Sequence, residues 1–315
     1  MLDPAIVLAA RERIADRVHR TPMLRSSSIS TALGIDVAFK AELFQRTGSF
    51  KVRGALHKLA CLSPDAALNG LVTISAGNHA AALAYAARQA GLRCTVVMPA
   101  AANPTKVRAT EAYGAEVVLH GNVQEAFARC HELEKERGLL YIHAFDDPEI
   151  IGGAGTLGLE IVEQVPEVDT VLVAIGGGGL ISGVALAVKH LCPSARVIGV
   201  EPEGAAVMWA SLEAGRALRF DQVSTLADGL APPMVGELNF AIVKRNVDSV
   251  VKVSDGEILD AMRMLMSRCK LVVEPAGAAA FAALTTRRVS VSPGEHVVVV
   301  LSGGNVDLAQ LASWL

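Results

Sequence analysis

Short runs that are apolar at nearly every position alternate along this chain with longer stretches whose apolar residues recur every three to four positions. The runs 37–41, 71–75, 94–98, 116–119, 170–175, 196–200 and 296–301 predict strands. Most are apolar at both parities, which suits a parallel sheet covered by helices on each side. Between them, 78–89, 105–113, 123–137 and 179–190 predict helices, and 52–56 opens another. The first twenty residues mix Ile6, Val7, Ile14 and Val18 with four arginines, predicting an amphipathic surface helix rather than a secretory signal. The βαβ alternation argues for an α/β fold of open, twisted, mostly parallel sheets with helices on both faces. In such folds ligands collect beyond the carboxyl ends of the strands.

Composition narrows the function classes. The 315 residues are 51% hydrophobic and 19% charged, enough for one large domain or two moderate ones. A net charge of -3, with lysine and arginine scattered, gives no electrostatic case for nucleic acid or an anionic membrane. Mean hydropathy is +0.39, yet no uncharged apolar run reaches membrane-spanning length. Cys61, Cys94, Cys130, Cys192 and Cys269 show no CxxC spacing, which fits a reduced, cytoplasmic protein. With no repeat and no linker, two lobes packed on each other are expected.

Four loops carry candidate chemistry. Gly48-Ser49-Phe50-Lys51 places an amine at a loop-to-helix junction, where helix amides should depress its pKa toward a nucleophilic amine. Ser75-Ala76-Gly77-Asn78-His79 follows a strand and opens an alanine-rich helix, so its amides can cradle a carboxylate or phosphate, or simply cap the helix. Gly176, Gly177, Gly178, Gly179 and Leu180 follow another strand, and bare backbone there admits a phosphate to the helix dipole. No Lys-Ser/Thr follows these glycines, which excludes a nucleoside-triphosphate loop. Gly177, Gly179 and Gly183 also fit a relaxed dinucleotide fingerprint, with Glu201 as ribose acceptor, so a nicotinamide-dependent dehydrogenase competes. Ser302-Gly303-Gly304-Asn305 closes the last strand and aims a serine at the shared cleft.

Gly48 to Ala55, Ser75 to His79, Gly176 to Leu180 and Ser302 to Asn305 together resemble the serine/threonine dehydratase family. These are pyridoxal-phosphate enzymes of the tryptophan-synthase-β fold type, a group that includes serine racemase. Thr21-Pro22, Asp146-Asp147-Pro148, Ala227-Asp228-Gly229 and Glu274-Pro275-Ala276-Gly277 agree in order and spacing, so the similarity covers nearly the whole chain. The resemblance implies that Lys51 holds pyridoxal 5'-phosphate covalently and later moves the α-proton. It implies Phe50 beside the pyridine ring, Asn78 on the phenolic oxygen, and Gly176 to Leu180 as the phosphate cup. Ser302 would meet the pyridine nitrogen, and Gly229 would flank the cofactor by its backbone. Ser75, Ala76, Gly77, Asn78 and His79 would receive the substrate. A large cofactor-binding domain of residues 1–43 and 147–315 and a small one of 44–146 are implied, as is a homodimer.

A serine at the ring nitrogen cannot keep it protonated as a carboxylate would, which favours rapid loss of a β-hydroxyl over transamination. The expected reaction is dehydration and deamination of a β-hydroxy L-amino acid to a 2-oxo acid and ammonia. A non-catalytic pyridoxal-phosphate-binding protein is the other alternative. Four departures refine the expectation. Ala76 replaces the serine that protonates the far face of Cα in racemases, so racemisation should be poor. Ala81 and Ala154 replace glutamines expected near the substrate end, which suggests a roomier pocket for a substrate such as 3-phenylserine beside threonine and serine. Val207 replaces a carboxylate of a divalent-cation site shared by Glu201 and Ala205, so no dedicated metal is expected. The regulatory region of biosynthetic threonine deaminases has no counterpart after Asn305, so feedback control is not expected. His57, His131, His143 and His190 have no ligand spacing, and Glu274 is left between a pocket partner and a loop cap.

Overall fold

A computed structural model of the chain describes residues 2–63 and 65–314. Its strands are β1 Met23–Arg25, β2 Asp36–Ala41, β3 Leu71–Ile74, β4 Cys94–Met98, β5 Glu116–Leu119, β6 Leu140–Tyr141, β7 Thr170–Ala174, β8 Arg196–Pro202, β9 Ser249–Val253 and β10 His296–Leu301. One sheet has the order β1-β2-β10-β7-β8-β9 and the other β5-β4-β3-β6. Only the β1–β2 pairing is antiparallel among the described strands. The expected mostly parallel α/β architecture is what the chain adopts.

All seven expected strands form, with edges moved by a residue or two. The pattern gave no sign of β1 and β6, which at three and two residues are too short to show a period. β9 escaped because Ser249 and Lys252 interrupt its apolar run at the sheet edge. Strand β10, from the end of the chain, inserts between β2 and β7. Its residues Val297 to Leu301 are at most 1% exposed, so both faces are covered, as its unbroken apolar run requires.

Helices 78–89 and 123–137 keep the expected bounds, and the N-terminal helix is shorter than expected, Ala5–Ile14. Helix Pro148–Gln164 begins at an Asp147 cap, whose carboxylate accepts from the Glu149 and Ile150 amides. It packs closely on helix Gly179–Leu191, where a Cβ on Gly183 would lie 2.4 Å from the Ile151 carbonyl oxygen. Helix Lys51–Ala60 packs on helix Pro148–Gln164 through Gly54 and Gly153, again backbone to backbone. The loops after β3, β7 and β10 face one space between the two sheets. No helix among the described residues is long and apolar enough to cross a membrane.

Candidate active site

Lys51 opens its helix at the end of a tightly turned loop. Thr47 and Gly48 both take left-handed backbone, with φ of 62° and 72°. The loop is pinned to the segment after β10: the Phe50 amide donates to the Ser302 carbonyl at 3.1 Å and the Gly304 amide to Gly48 at 3.0 Å. Lys51 Nζ donates to the Ala144 carbonyl at 3.0 Å and lies 5.3 Å from the centre of the Phe50 ring. Burial lowers its pKa to about 8. Removal of the ammonium from water is the cause, in the same direction as the helix terminus invoked from sequence.

After β7, Gly178 adopts φ 100° and delivers the chain into helix Gly179–Leu191. The first amides of a helix have no partner within it and point outward, ready for an anion. A Cβ on Gly177 would lie 2.4 Å from the Phe145 ring, and one on Gly179 3.0 Å from the Phe145 carbonyl oxygen. A side chain at either position would collide with Phe145. Phe145 is itself fixed by His143, whose Nδ1 accepts from the Phe145 and Asp146 amides at 3.2 and 2.8 Å. Burial lowers the His143 pKa, which keeps that nitrogen an acceptor.

The loop after β3 turns on Ser75, whose hydroxyl accepts from the Gly77 amide at 3.2 Å. Asn78 Nδ2 donates to Glu274 at 2.6 Å, while its oxygen accepts from Asn305 at 2.7 Å. His79 Nε2 lies 3.2 Å from the Thr73 hydroxyl, which donates onward to Ile142. Burial drives the His79 pKa down to about 3, so it buttresses the loop as a neutral donor. Ser302 is 4% exposed, with only a long contact of 3.4 Å from its hydroxyl to the Ala276 carbonyl. Gly229 sits in the turn Asp228–Leu230, its carbonyl 3.0 Å from where a Cβ on Gly176 would stand.

One cavity of about 320 Å³ gathers these parts: Phe50, Lys51, Ser75 to His79, Gly176 to Leu180, Gly229 and Ser302 all line it. The residues expected to hold the cofactor and to receive the substrate carboxylate are therefore brought to one place. The pattern did not find Ala144, Phe145 or Lys106, which also line it. Ala144 and Phe145 follow the two-residue β6, and the Asp146-Asp147-Pro148 motif next to them was the available signal. Glu274 does not cap its own helix; it is 4% exposed, bonded to Asn78, and burial raises its pKa to about 7.

Two expectations fail. Ala81 and Ala154 do not line the cavity. Helix Asn78–Gln89 presents only its first residues there, and helix Pro148–Gln164 lies behind, packed on its neighbours with Ala154 2% exposed. The dinucleotide reading also loses its parts. Gly183 serves helix packing, and both Glu201 oxygens are taken by the Met208 and Trp209 amides at 2.8 and 2.7 Å.

The chain belongs to the family of pyridoxal-phosphate dependent enzymes, whose pattern it matches over residues 14–303. It is 44% identical to an L-threonine ammonia-lyase of Geobacter sulfurreducens over 313 residues, 99% of this chain and 78% of that protein. It is 42% identical to a phenylserine dehydratase of Ralstonia pickettii, covering 99% of this chain and 96% of that one. The solved structure of maize serine racemase superposes with a TM-score of 0.94 at 39% identity, covering 99% and 96% of the two chains. The cofactor is pyridoxal phosphate, and the site fits it: a half-buried amine bonded to a carbonyl, and a loop of four glycines, each packed too closely on its neighbours to carry a Cβ.

Proposed function

We propose that the chain eliminates water from a β-hydroxy L-amino acid, threonine, serine or a bulkier one such as 3-phenylserine, with release of a 2-oxo acid and ammonia. The observation that carries this reading is the half-buried Lys51 amine, its pKa lowered to about 8, lining a cavity shared by three strand-end loops. Lys51 holds pyridoxal phosphate, the amides of Gly176, Gly177, Gly178, Gly179 and Leu180 hold its phosphate, and Phe50 and Gly229 flank the ring. Asn78 meets the phenolic oxygen and Ser302 the pyridine nitrogen. Ser75, Ala76, Gly77, Asn78 and His79 receive the substrate carboxylate.

When bound, the cofactor's conjugated ring draws electron density from the substrate's Cα. Lys51 Nζ, freed as the amine of the incoming substrate takes its place on the cofactor, would take the Cα proton as general base. The amides that open helix Asn78–Gln89 fix the substrate carboxylate. Phe127, Tyr141 and Phe145 give the cavity an apolar wall that suits an aryl or methyl β-substituent.

Residues 1–43 and 147–315 form the large lobe in this reading and 44–146 the small one, though Met1, Pro64 and Leu315 lie outside the described residues. Ion pairing of Lys106 with Asp228 and a 2.9 Å bond from Thr105 to Asp307 tie the two lobes together. Glu201 is committed to capping helix Val207–Ala214, which supports a site without a dedicated divalent cation. Free cysteines, two of them buried, suit the cytoplasm. Exposed Phe44 and Val272, beside segments that meet at Gly304, suit a homodimer.

The test is hydride trapping of the purified protein, peptide mass mapping of the label, and a screen of β-hydroxy amino acids for ammonia release. The label is expected on Lys51. A label elsewhere, or no ammonia from any substrate, overturns the reading. The ratio of kcat/KM for phenylserine and threonine then fixes the preferred substrate.

A further inference from the structure

Asn305 is exposed and lies against Asn78 of the cavity wall, and both hydrogens of its amide nitrogen are used. One goes to the Thr47 carbonyl at 2.7 Å and the other to the Asn78 side-chain oxygen at 2.7 Å. A backbone carbonyl only accepts, so the Thr47 bond fixes which end of the Asn305 amide is nitrogen. That in turn fixes Asn78: its oxygen must face Asn305, and its nitrogen must face Glu274, to which it donates at 2.6 Å. Two bare backbones make the arrangement possible. A Cβ on Gly48 would lie 2.2 Å from Asn305 Oδ1, and one on Gly303 2.2 Å from Glu274 Oε1. The left-handed Thr47, φ 62°, belongs to the same turn and supplies the carbonyl on which the chain of bonds ends.

We propose that Asn305 is a positioning residue that sets the polarity of the Asn78 amide, so that Asn78 presents an N–H donor, and not its oxygen, to the cavity. The inference deepens the proposed function, on which its cofactor arm rests: Asn78 Nδ2 spends one hydrogen on Glu274 and keeps the other for the phenolic oxygen. Loss of Asn305 leaves only the Glu274 bond to orient the amide, and Glu274, its pKa raised by burial to about 7, can donate as well as accept once protonated. An aspartate at 305 competes with Glu274 for the Asn78 nitrogen and turns it outward wherever Glu274 carries its proton.

The test uses Asn305→Ala and Asn305→Asp in the full chain, with two readouts. In 15N-labelled protein, the Asn78 side-chain amide, assigned by its absence in Asn78→Ala, should exchange its hydrogens about tenfold faster in Asn305→Ala, because an amide that turns gives up the bond its nitrogen donates to Glu274. In the cofactor-loaded protein, the pH midpoint of the visible absorbance should rise by about one unit in Asn305→Asp and less in Asn305→Ala, since a donor to the phenolic oxygen is lost. Unchanged exchange and an unchanged midpoint, with only a lower melting temperature, would show that Asn305 merely holds the turn and overturn the proposal. So would an Asn305→Asp shift of full size in an Asn78→Ala background, which would be charge acting through space. If the wild-type protein takes up no pyridoxal phosphate, the functional reading fails instead, and the exchange measurement still decides the role of Asn305.

Discussion

Lys51 Nζ donates to the backbone oxygen of Ala144 at 3.0 Å, across 93 residues of sequence and from one wall of the cavity to the other. A neutral carbonyl satisfies one hydrogen of the amine without neutralising its charge. The amine is therefore costly to keep protonated at this place, and that cost is what makes it useful as a nucleophile and base.

Stability of the cofactor-free protein should report this cost. The Lys51 pKa is lowered from 10.5 to about 8 by burial, so between those values the unfolded chain binds more protons than the folded one. Stability from this group rises as pH climbs from 8 to 10.5. Lys51→Ala should abolish turnover yet stabilise the cofactor-free protein at pH 7 by about 1–3 kcal/mol. The gain should shrink toward pH 10. Thermal melts of both proteins across that range check it, and a variant less stable at pH 7 would contradict it.

Arg53, two residues further on, is wholly buried and forks onto Glu42 at 2.8 and 2.8 Å while reaching Glu160 at 2.7 Å. Lys40 completes the group at 2.5 Å from Glu160. Arg53→Met should cost about 3–5 kcal/mol, because Glu42 is left as an uncompensated buried charge. Against the penalty of burial, Arg53 holds the Glu42 pKa below 4.5. The wild type should therefore lose stability on acidification through the folded pKa of Glu42. In the variant, burial, the largest influence on Glu42, is opposed only by the Thr21 hydrogen bond and the charge of Lys40, so stability should instead fall as pH rises above 4.5. Urea unfolding at several pH values measures both slopes.

Gly177→Ala drives a methyl to 2.4 Å from the Phe145 ring. Either the ring or the glycine loop must move, at about 1–3 kcal/mol. Affinity for pyridoxal phosphate should fall at least about tenfold, the cost of misaligning one or two amide contacts. Phe145→Ala in the same chain should recover part of the stability by making room. Fluorescence titration of the cofactor-free proteins measures the affinity.

Ala76 lines the cavity but has no proton to give. Of the neighbouring groups, His79 is held neutral with its Nε2 on Thr73. D-serine formation from L-serine should be slow compared with ammonia release. Ala76→Ser should raise the racemisation-to-elimination ratio by about tenfold or more, the scale on which a placed proton donor acts. Chiral chromatography of timed reactions gives the ratio.

Much of the site was legible because it is built from short segments next to strand ends. Gly176 to Leu180, Ser75 to His79 and the loop around Lys51 each needed local backbone chemistry, and local chemistry is written in consecutive residues. Ala144, Phe145 and the partnership of Asn78 with Glu274 were not legible, since each joins segments separated by dozens of residues. The placing of Ala81 and Ala154 failed for the same reason: sequence spacing says which helix a residue is on, not which side of that helix meets a cavity.

The sequence by itself determined the alternation of strands and helices, the glycine positions where a phosphate can approach, and the lysine that can carry the cofactor. Those follow from periodicity, from the absence of a Cβ, and from the chemistry of an amine. Only the tertiary structure decided that β10 enters between β2 and β7, that burial lowers the Lys51 pKa, and that Glu201 caps a helix. Each depends on what packs around a group from elsewhere in the chain, and the dielectric and hydrogen-bond partners at a point in space are properties of the fold.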